Sequence, residues 1–477
     1  MALSVKLIRL GAASLVAGTL FSGAALAEPA RIPEQALPVA RQLQQKALAG
    51  SGAFQIVESL STEVGPRMFG TPGDAAAVAW AVAKLKELGF DKVWTEPVAY
   101  PGWVRGTERA TVTAPFPQPL HVTALGYTLP TPPGGVEAEI VRFASYEDML
   151  DAAPGSLAGK IVFIAQPMVR HIEGLGYGHA VAMRGDGPIE AAKRGAAALL
   201  IRSVGTDHHR FPHTGVTEHD EGVPRIPAAA LSVPDAEQLE RLLARGKPVT
   251  VKLELTPEFP GPTQSFNVIG EVRGREAPEE VVVLGAHLDS WDLGTGAVDD
   301  GAGVAIVTAA AKLIRDLPQR PRRTVRVVLF AAEEIGLVGA KAYAEAHKGE
   351  MARHVIGVEA DFGAGPVYAF NSTANPAADE ALKVIRRALS PLNVVPGGEK
   401  ASGGPDVGIL RRAGMPVVDL ELDGTDYFDV HHTADDTLDK VDPKKIDQAT
   451  AAFATFAYLA AESTGSFGPI EIPPAKQ

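Results

Sequence analysis

The chain contains no cysteine in 477 residues, so disulfides, thiolate metal ligands and cysteine nucleophiles are excluded, and any metal must be held by His, Asp and Glu. It also lacks an excess of basic charge: the formal net charge is −12, with no Lys/Arg patch or arm. A nucleic-acid or anionic-lipid partner is therefore excluded as a reading, because both are attracted by clustered cations. Beyond the N-terminus there is no run of about 18 uninterrupted apolar residues, so no membrane-spanning helix is expected. What remains is ordinary globular material, with 46% hydrophobic and 21% charged residues, enough for one to three domains. The 49 Gly and 37 Pro have neither collagen period nor low-complexity runs, and imply many turns.

Residues 1–27 read as a secretory signal. Lys6 and Arg9 supply the basic region, Leu10 to Ala25 the apolar stretch, and Ala25-Leu26-Ala27 a small-residue cleavage site before Glu28. The mature chain is then expected to be secreted or periplasmic, with no membrane attachment after signal cleavage.

Thr71 to Leu88 carries a helical pattern stopped by Gly89, and DKVWTEPVAY follows as a strand. From about 131 to 257 the texture changes. GKIVFIA and AAALLIR are short apolar strands, and the stretch from Tyr177 to Pro227 reads as loop-rich. Six of the twelve histidines lie here: His171, His179, His208, His209, His213 and His219. This is read as an inserted, β-rich subdomain.

After Pro260 strands and helices alternate regularly through FNVIGEV, VVVLGAH, GVAIVTAAAKLIRDL, TVRVVLFAA, GAKAYAEAH and HVIGVEADF, ending in a helix from Pro443 to Glu462. Such alternation implies an α/β fold, a three-layer sandwich about a mostly parallel sheet. Residues 28–130 and 258–477 would form this discontinuous main domain.

Ligands of open α/β sheets bind beyond the carboxyl ends of the strands, and here each regular strand runs into ionisable residues. VVVLGA leads to His287 and Asp289, VVLFAA to Glu333 and Glu334, and VIGVEA to Asp361; Asp299 and Asp300 sit in GTGAVDDGAG, and His431 and His432 in HHTADDT. Any one of these alone is ordinary; Asp299, for instance, is also placed to cap a helix starting near Gly303. Together, five or six carboxylates meeting two or three imidazoles cannot neutralise one another, and a cation is required. The imidazole and carboxylate set suits zinc, and the surplus of carboxylates favours two ions sharing a bridge.

At these residues the sequence resembles the co-catalytic zinc exopeptidases, and among them the carboxypeptidase Q (plasma glutamate carboxypeptidase) type. SFNVIGEVRG, VVVLGAHLDSWDLGTGAVDDGAG, LFAAEEIGLVGA, EADFG and HHTADDTLDKVDP look like that family's successive metal motifs. In the insert, EAAKRGAAALLIRSV, PHTG and EGVPRIPAAALSVPDAEQL resemble its protease-associated subdomain. The resemblance implies that His287 and Asp361 hold one of two zinc ions per chain, Glu334 and His432 the other, and that Asp299 bridges them. Glu333 would be the general base, and Asp289 would stand behind the His287 ring and fix its tautomer. His432 is favoured over His431 because HTADDT, with Asp436 four residues on, matches the family's spacing; His431 becomes a neighbour. A cis peptide between Asp299 and Asp300 and a homodimer are implied as well.

The expected activity is hydrolysis of short unblocked peptides, dipeptides especially, by metal-activated water. No cluster of arginines lies near the motifs to clamp an acidic side chain. Tyr427, in the YFD run, is a candidate to line the substrate pocket, and His213 a candidate to reach over it. The competing readings are an aminopeptidase acting on longer peptides, a catalytically dead binding protein on the same fold, and a single-zinc glutaminyl cyclase.

Overall fold

A computed structural model describes residues 28–470 and 472; the expected leader, residues 1–27, lies outside the described residues. Among them no helix is long and apolar enough to cross a membrane.

The main sheet has eight strands in the order Lys92–Val104, Glu258–Val272, Arg323–Phe330, Ala277–His287, His354–Glu359, Val417–Leu422, Val367–Thr373 and Val395–Pro396. Its centre is parallel, from Arg323–Phe330 through Ala277–His287 and His354–Glu359 to Val417–Leu422. The flanks toward Lys92–Val104 and Val367–Thr373 are antiparallel. The parallel strands are apolar without a break because both faces are covered. Along Ala277–His287, Val282, Leu284 and Ala286 pack with the helices Ala302–Arg315 and Pro443–Glu462, while Val281 and Val283 join Tyr343, Val407 and Leu410 on the opposite face. Side chains alternate across a strand, so one strand serves two cores, and the expected three layers are present. Gly285 is required by closeness: a Cβ there would lie 2.5 Å from Val407.

The helix Pro72–Glu87 is capped by the Thr71 hydroxyl and stopped at Gly89, whose φ is +79°. Pro443–Glu462 starts with Pro at its first turn behind the Asp442 cap. Two helices not anticipated from the sequence, Ala36–Leu48 and Ala53–Glu63, bury small-residue faces such as Ala36, Ala40, Leu43 and Ala47 on the same layer.

A second eight-stranded sheet lies between Val104 and Glu258, ordered Gln118–Leu120, Glu108–Ala114, Thr250–Leu255, Val136–Phe143, Ile161–Ile164, Ala198–Arg202, Ala228–Leu231 and Val122–Ala124. The expected boundary at 131 is thus too late, since three strands before it, from Glu108 to Ala124, pair inside this second sheet. Polar alternation in these short segments hides which sheet they join. Residues 177–227 are also less loop-rich than expected. The helices Leu175–Gly185 and Gly187–Lys193 occupy the first part, their period obscured by Gly176, Gly178, Gly185 and Gly187. Four strands of this sheet run parallel, from Val136–Phe143 to Ala228–Leu231.

Arg105 joins the two bodies. Its guanidinium donates to Asp292 of the main domain at 2.8 and 2.9 Å, and to Glu108 at 2.6 Å and Thr214 at 3.1 Å in the second. Inside the main domain, fully buried Asn267 accepts from the Ala331 N–H at 2.9 Å and donates to the Gly339 carbonyl at 2.9 Å, fixing the turn that carries Glu333 and Glu334. Asn267→Leu would leave the buried Ala331 N–H without a partner, while the Gly339 carbonyl keeps its bond within the helix Val338–Ala346. At about 1–3 kcal/mol for one orphaned group, a loss of that size is expected in urea unfolding; an unchanged midpoint would contradict this role.

Candidate metal centre

The strand Ala277–His287 delivers His287 to its carboxyl end, and the loop that follows returns as the segment Ala297–Gly301, which carries Asp299. The Asp299–Asp300 peptide is cis. His287 is 1% and Asp299 3% exposed. The two Asp299 oxygens face different partners. His287 Nε2 lies 3.1 Å from Oδ1, and His432 Nε2 lies 3.3 Å from Oδ2. Asp361, from the end of the strand His354–Glu359, stands 3.5 Å from His287 Nε2. Glu334 stands 2.9 Å from His432 Nε2. All five residues expected to bind metal therefore meet, in two halves on either side of one carboxylate.

Each imidazole is oriented from behind. His287 Nδ1 donates to the Asp289 carbonyl at 3.0 Å, while the Asp289 carboxylate lies farther off at 3.7 Å. The expectation that the carboxylate fixes the tautomer is corrected in that detail: the backbone carbonyl is the nearer acceptor. The Asp289 carboxylate instead accepts the Glu333 N–H at 3.1 Å. His432 Nδ1 donates to the Thr214 carbonyl of the second body at 3.3 Å. Both rings thereby present Nε2 to Asp299. Two backbones here are in the left-handed region without being glycine, Ala332 with φ +57° and His432 with φ +60°, a cost tolerated where the surrounding structure fixes it.

The loop is held through its backbone by residues that are not among the expected ligands. Asp436 accepts the N–H groups of Val298 and Asp299 at 2.6 and 3.1 Å, which makes it a support of the loop that carries Asp299. Asp300 accepts from His287 N and Gly303 N, both at 3.0 Å, so it, and not Asp299, occupies the capping role before the helix Ala302–Arg315. Arg67, fully buried, donates to the carbonyls of Leu288, Thr295 and Gly296 at 2.5, 2.8 and 2.8 Å. Arg67 and Thr214 lie far from the motifs in sequence, and their partners are carbonyls, which no side-chain pattern reveals. Asp406 is another carboxylate that sequence reading missed. It is wholly buried, and both its oxygens lack partners; burial and the nearby Glu333 push its proton affinity well above the ordinary range.

His431 stacks on His432 at 3.5 Å between ring centroids and is walled by Tyr177, Tyr427 and Phe428 at 5.2, 5.0 and 5.1 Å. Its Nε2 comes within 3.7 Å of Asp299, yet burial and the adjacent His432 drive its basicity well below the usual value. Tyr427 is buried and packs on Phe362 and Phe428. His213 does not reach the centre. It is buried in the second body, hydrogen-bonded to Asp207 and, through its backbone N–H, to Ser203, and the reach is made by its neighbour Thr214. The other six histidines of this body, His121 included, are exposed.

Charges at the centre do not balance among themselves. Burial raises Asp299, but the imidazoles of His287 and His432 outweigh it and hold its carboxyl well below the ordinary range. Burial would make His432 less basic, but Glu334 and Asp299 lift it to about 9. Burial, with Asp361, Glu334 and Asp289 close by, pushes Glu333 well above the ordinary range. Buried oxygens of Asp289, Asp299 and Glu334 are left without partners. Unpartnered carboxylate oxygens facing imidazole nitrogens are the donor set of a divalent cation, and the ligand atoms of His287, Asp299 and Asp361 all lie within 4.8 Å of one another. Trp291, Gly294, Gly296, Thr433 and Asp436 line a small recess with Asp299, Glu334 and His432.

This geometry is accompanied by kinship. The chain belongs to peptidase family M28, whose family model matches residues 267–457, and it is a metallo-exopeptidase; the resemblance read from the motifs is borne out. Among its relatives is carboxypeptidase Q of Mus musculus, 37% identical over 410 residues and covering 86% of each chain. The Homo sapiens carboxypeptidase Q is 36% identical over 417 residues, 87% of this chain and 86% of that one. The crystal structure of a peptidase M28 precursor from Shewanella amazonensis SB2B is 51% identical and superposes with a TM-score of 0.90, covering 92% of this chain and 99% of that chain.

A cation binding at His432 must displace the proton that Glu334 and Asp299 stabilise there. Zinc titrated into metal-free protein is therefore expected to bind more tightly as pH rises toward about 9, with protons released to the buffer. The metal-free fold carries the opposite dependence. His432 is raised on folding, so its contribution is complete below about 6.5, the unfolded value, and is lost as pH climbs through about 9. Calorimetry in buffers of different ionisation heat checks both; pH-independent affinity without proton release would contradict the assignment.

Proposed function

We propose that this chain is an exported dipeptidase that hydrolyses short unblocked peptides using two zinc ions bridged by Asp299, with Glu333 as general base. The observation that supports it is the division of Asp299 between two imidazoles, His287 on one oxygen and His432 on the other. His287 and Asp361 would hold one ion and Glu334 and His432 the other. Glu334 is preferred to His431 as a ligand because it is anionic with a buried oxygen lacking a partner, whereas His431 is packed among aromatic rings. Bound zinc supplies Lewis acidity, polarising the scissile carbonyl and lowering the pKa of the attacking water.

The Glu333 carboxylate takes the water's proton and passes it to the leaving amine nitrogen. Asp289 holds the Glu333 backbone through its N–H at 3.1 Å, and its carbonyl steadies His287, so one residue sets the base relative to the first ligand. The division of labour within the pair is then by residue, Glu334 binding metal and Glu333 moving protons. Secretion or a periplasmic destination rests on the leader pattern of residues 1–27, and a homodimer on the family resemblance. The name of the curated relatives, carboxypeptidase Q, fits a cut near a chain end.

Glu333→Gln is expected to retain two zinc ions per chain by elemental analysis while losing about 10²- to 10⁴-fold in dipeptide turnover. Wild-type protein should cleave unblocked dipeptides, spare N-blocked ones, and stop on chelation. Normal turnover by the variant would remove Glu333 from its role, and a stoichiometry of one ion would favour the cyclase reading.

A further inference from the structure

The chain has four tryptophans, and the indole N–H groups of all but one are supplied. Trp80 donates to Ser59 Oγ at 3.0 Å, Trp94 to Glu96 Oε1 at 2.9 Å and Trp103 to the Thr128 carbonyl at 3.3 Å. Trp291 is 3% exposed, and its Nε1 has no protein partner. An indole nitrogen only donates, so neither a metal ion nor another donor can satisfy it. A buried donor without an acceptor is costly. Solvent entering the site can serve it in the free protein, and a substrate oxygen can replace that solvent.

Trp291 stands at the metal centre. It closes the run His287-Leu288-Asp289-Ser290-Trp291, lines the recess shared by Asp299, Glu334 and His432, and holds its ring 5.7 Å from that of His432. Its place is fixed from both bodies. Ser290 Oγ donates to the Trp291 carbonyl at 3.0 Å and accepts the Arg67 N–H at 3.2 Å. Trp103 meets the indole edge to face at 6.5 Å, and Gly126 of the second body leaves it room, since a Cβ there would lie 2.1 Å from the indole Cη2. Asp299 Oδ2 and Glu334 Oε1, the carboxylate oxygens without partners in the recess, belong to residues proposed above to hold a cation. Thr433 uses its hydroxyl hydrogen on the Val430 carbonyl at 2.7 Å, so the indole is the neutral side-chain donor left free there. The recess thus offers anionic oxygens to a cation and one N–H to an oxygen. Peptide hydrolysis brings such an oxygen, the scissile carbonyl, which gains negative charge as water adds to its carbon.

We propose that Trp291 is a catalytic residue: its indole N–H donates to the scissile carbonyl oxygen and holds it more strongly as it becomes an oxyanion. The inference rests on the dipeptidase reading above and adds the protein group that meets the substrate oxygen on the Glu334 and His432 side. A donor fixed before the reaction needs no rearrangement as charge develops, and its effect falls on kcat rather than on KM.

The test uses the zinc-loaded enzyme, an unblocked dipeptide, and its phosphinic analogue, in which a tetrahedral phosphinate replaces the scissile amide. Trp291→Phe keeps a ring beside His432 and removes the N–H. It should lower kcat about 10- to 100-fold, the range of a hydrogen bond to a charged oxygen, with KM little changed. Phosphinate binding measured by calorimetry should weaken by a similar factor, and zinc content should stay at the wild-type value. Trp103→Phe loosens the same aromatic stack but keeps the Trp291 N–H, and should leave kcat and phosphinate affinity close to wild type. Because losing a buried tryptophan can prevent folding, wild type grown with isotope-labelled tryptophan gives a second measurement. By nuclear magnetic resonance, one of its four indole signals should move downfield on adding the phosphinate. Unchanged phosphinate affinity in Trp291→Phe, an equal loss in Trp103→Phe, a loss that follows loss of zinc, or indole signals that all stay in place with phosphinate bound overturns the inference. Wild type that binds the phosphinate and shifts the signal but leaves dipeptides uncut refutes the dipeptidase reading alone. Wild type that neither cuts the dipeptide nor binds its phosphinate refutes that reading, and the inference falls with it.

Discussion

The structure is organised around a buried carboxylate that two imidazoles share. Asp299 is 3% exposed and is kept ionised by rings on both sides, in a pocket where Asp289, Glu333, Glu334, Asp361 and Asp406 add more negative charge than His287, His432 and Arg67 offset. Isolated charges of one sign are not stable at this density in a protein interior. A divalent cation would resolve the imbalance, and most features around the centre are intelligible as devices for keeping these groups in place.

Those devices come from three directions. Arg67 gathers the carbonyls of the loop between His287 and Asp299, Asp436 gathers its N–H groups, and Asp300 ties it to the strand and to the following helix. The second body contributes from above, with the Thr214 carbonyl on His432 and Arg105 linking Asp292 to Glu108. It therefore braces the candidate metal centre, although its own sheet is complete without the main domain.

The parallel core and the cluster of candidate ligands were legible in the sequence for one reason. Strands buried on both faces are uninterrupted apolar runs, and a charge at the end of such a run, as at His287, Glu333 or Asp361, is conspicuous. Asp300 and Asp436 stand inside the motifs, but their supporting role, like that of Arg67 and Thr214, was not legible, because it runs through backbone groups that carry no side-chain signal. Glycines blurred the helix that bears Tyr177, and His213 drew attention that belonged to the residue after it. The domain boundary was misplaced because Glu108–Ala114, Gln118–Leu120 and Val122–Ala124 have alternating patterns that fit either sheet.

The claim at the centre, that Asp299 bridges two ions, is most directly tested by anomalous diffraction at the zinc absorption edge from crystals of the zinc-loaded protein. The account predicts two peaks flanking the Asp299 carboxylate, one beside His287 and Asp361 and one beside Glu334 and His432. A single peak, or peaks remote from Asp299, would contradict it.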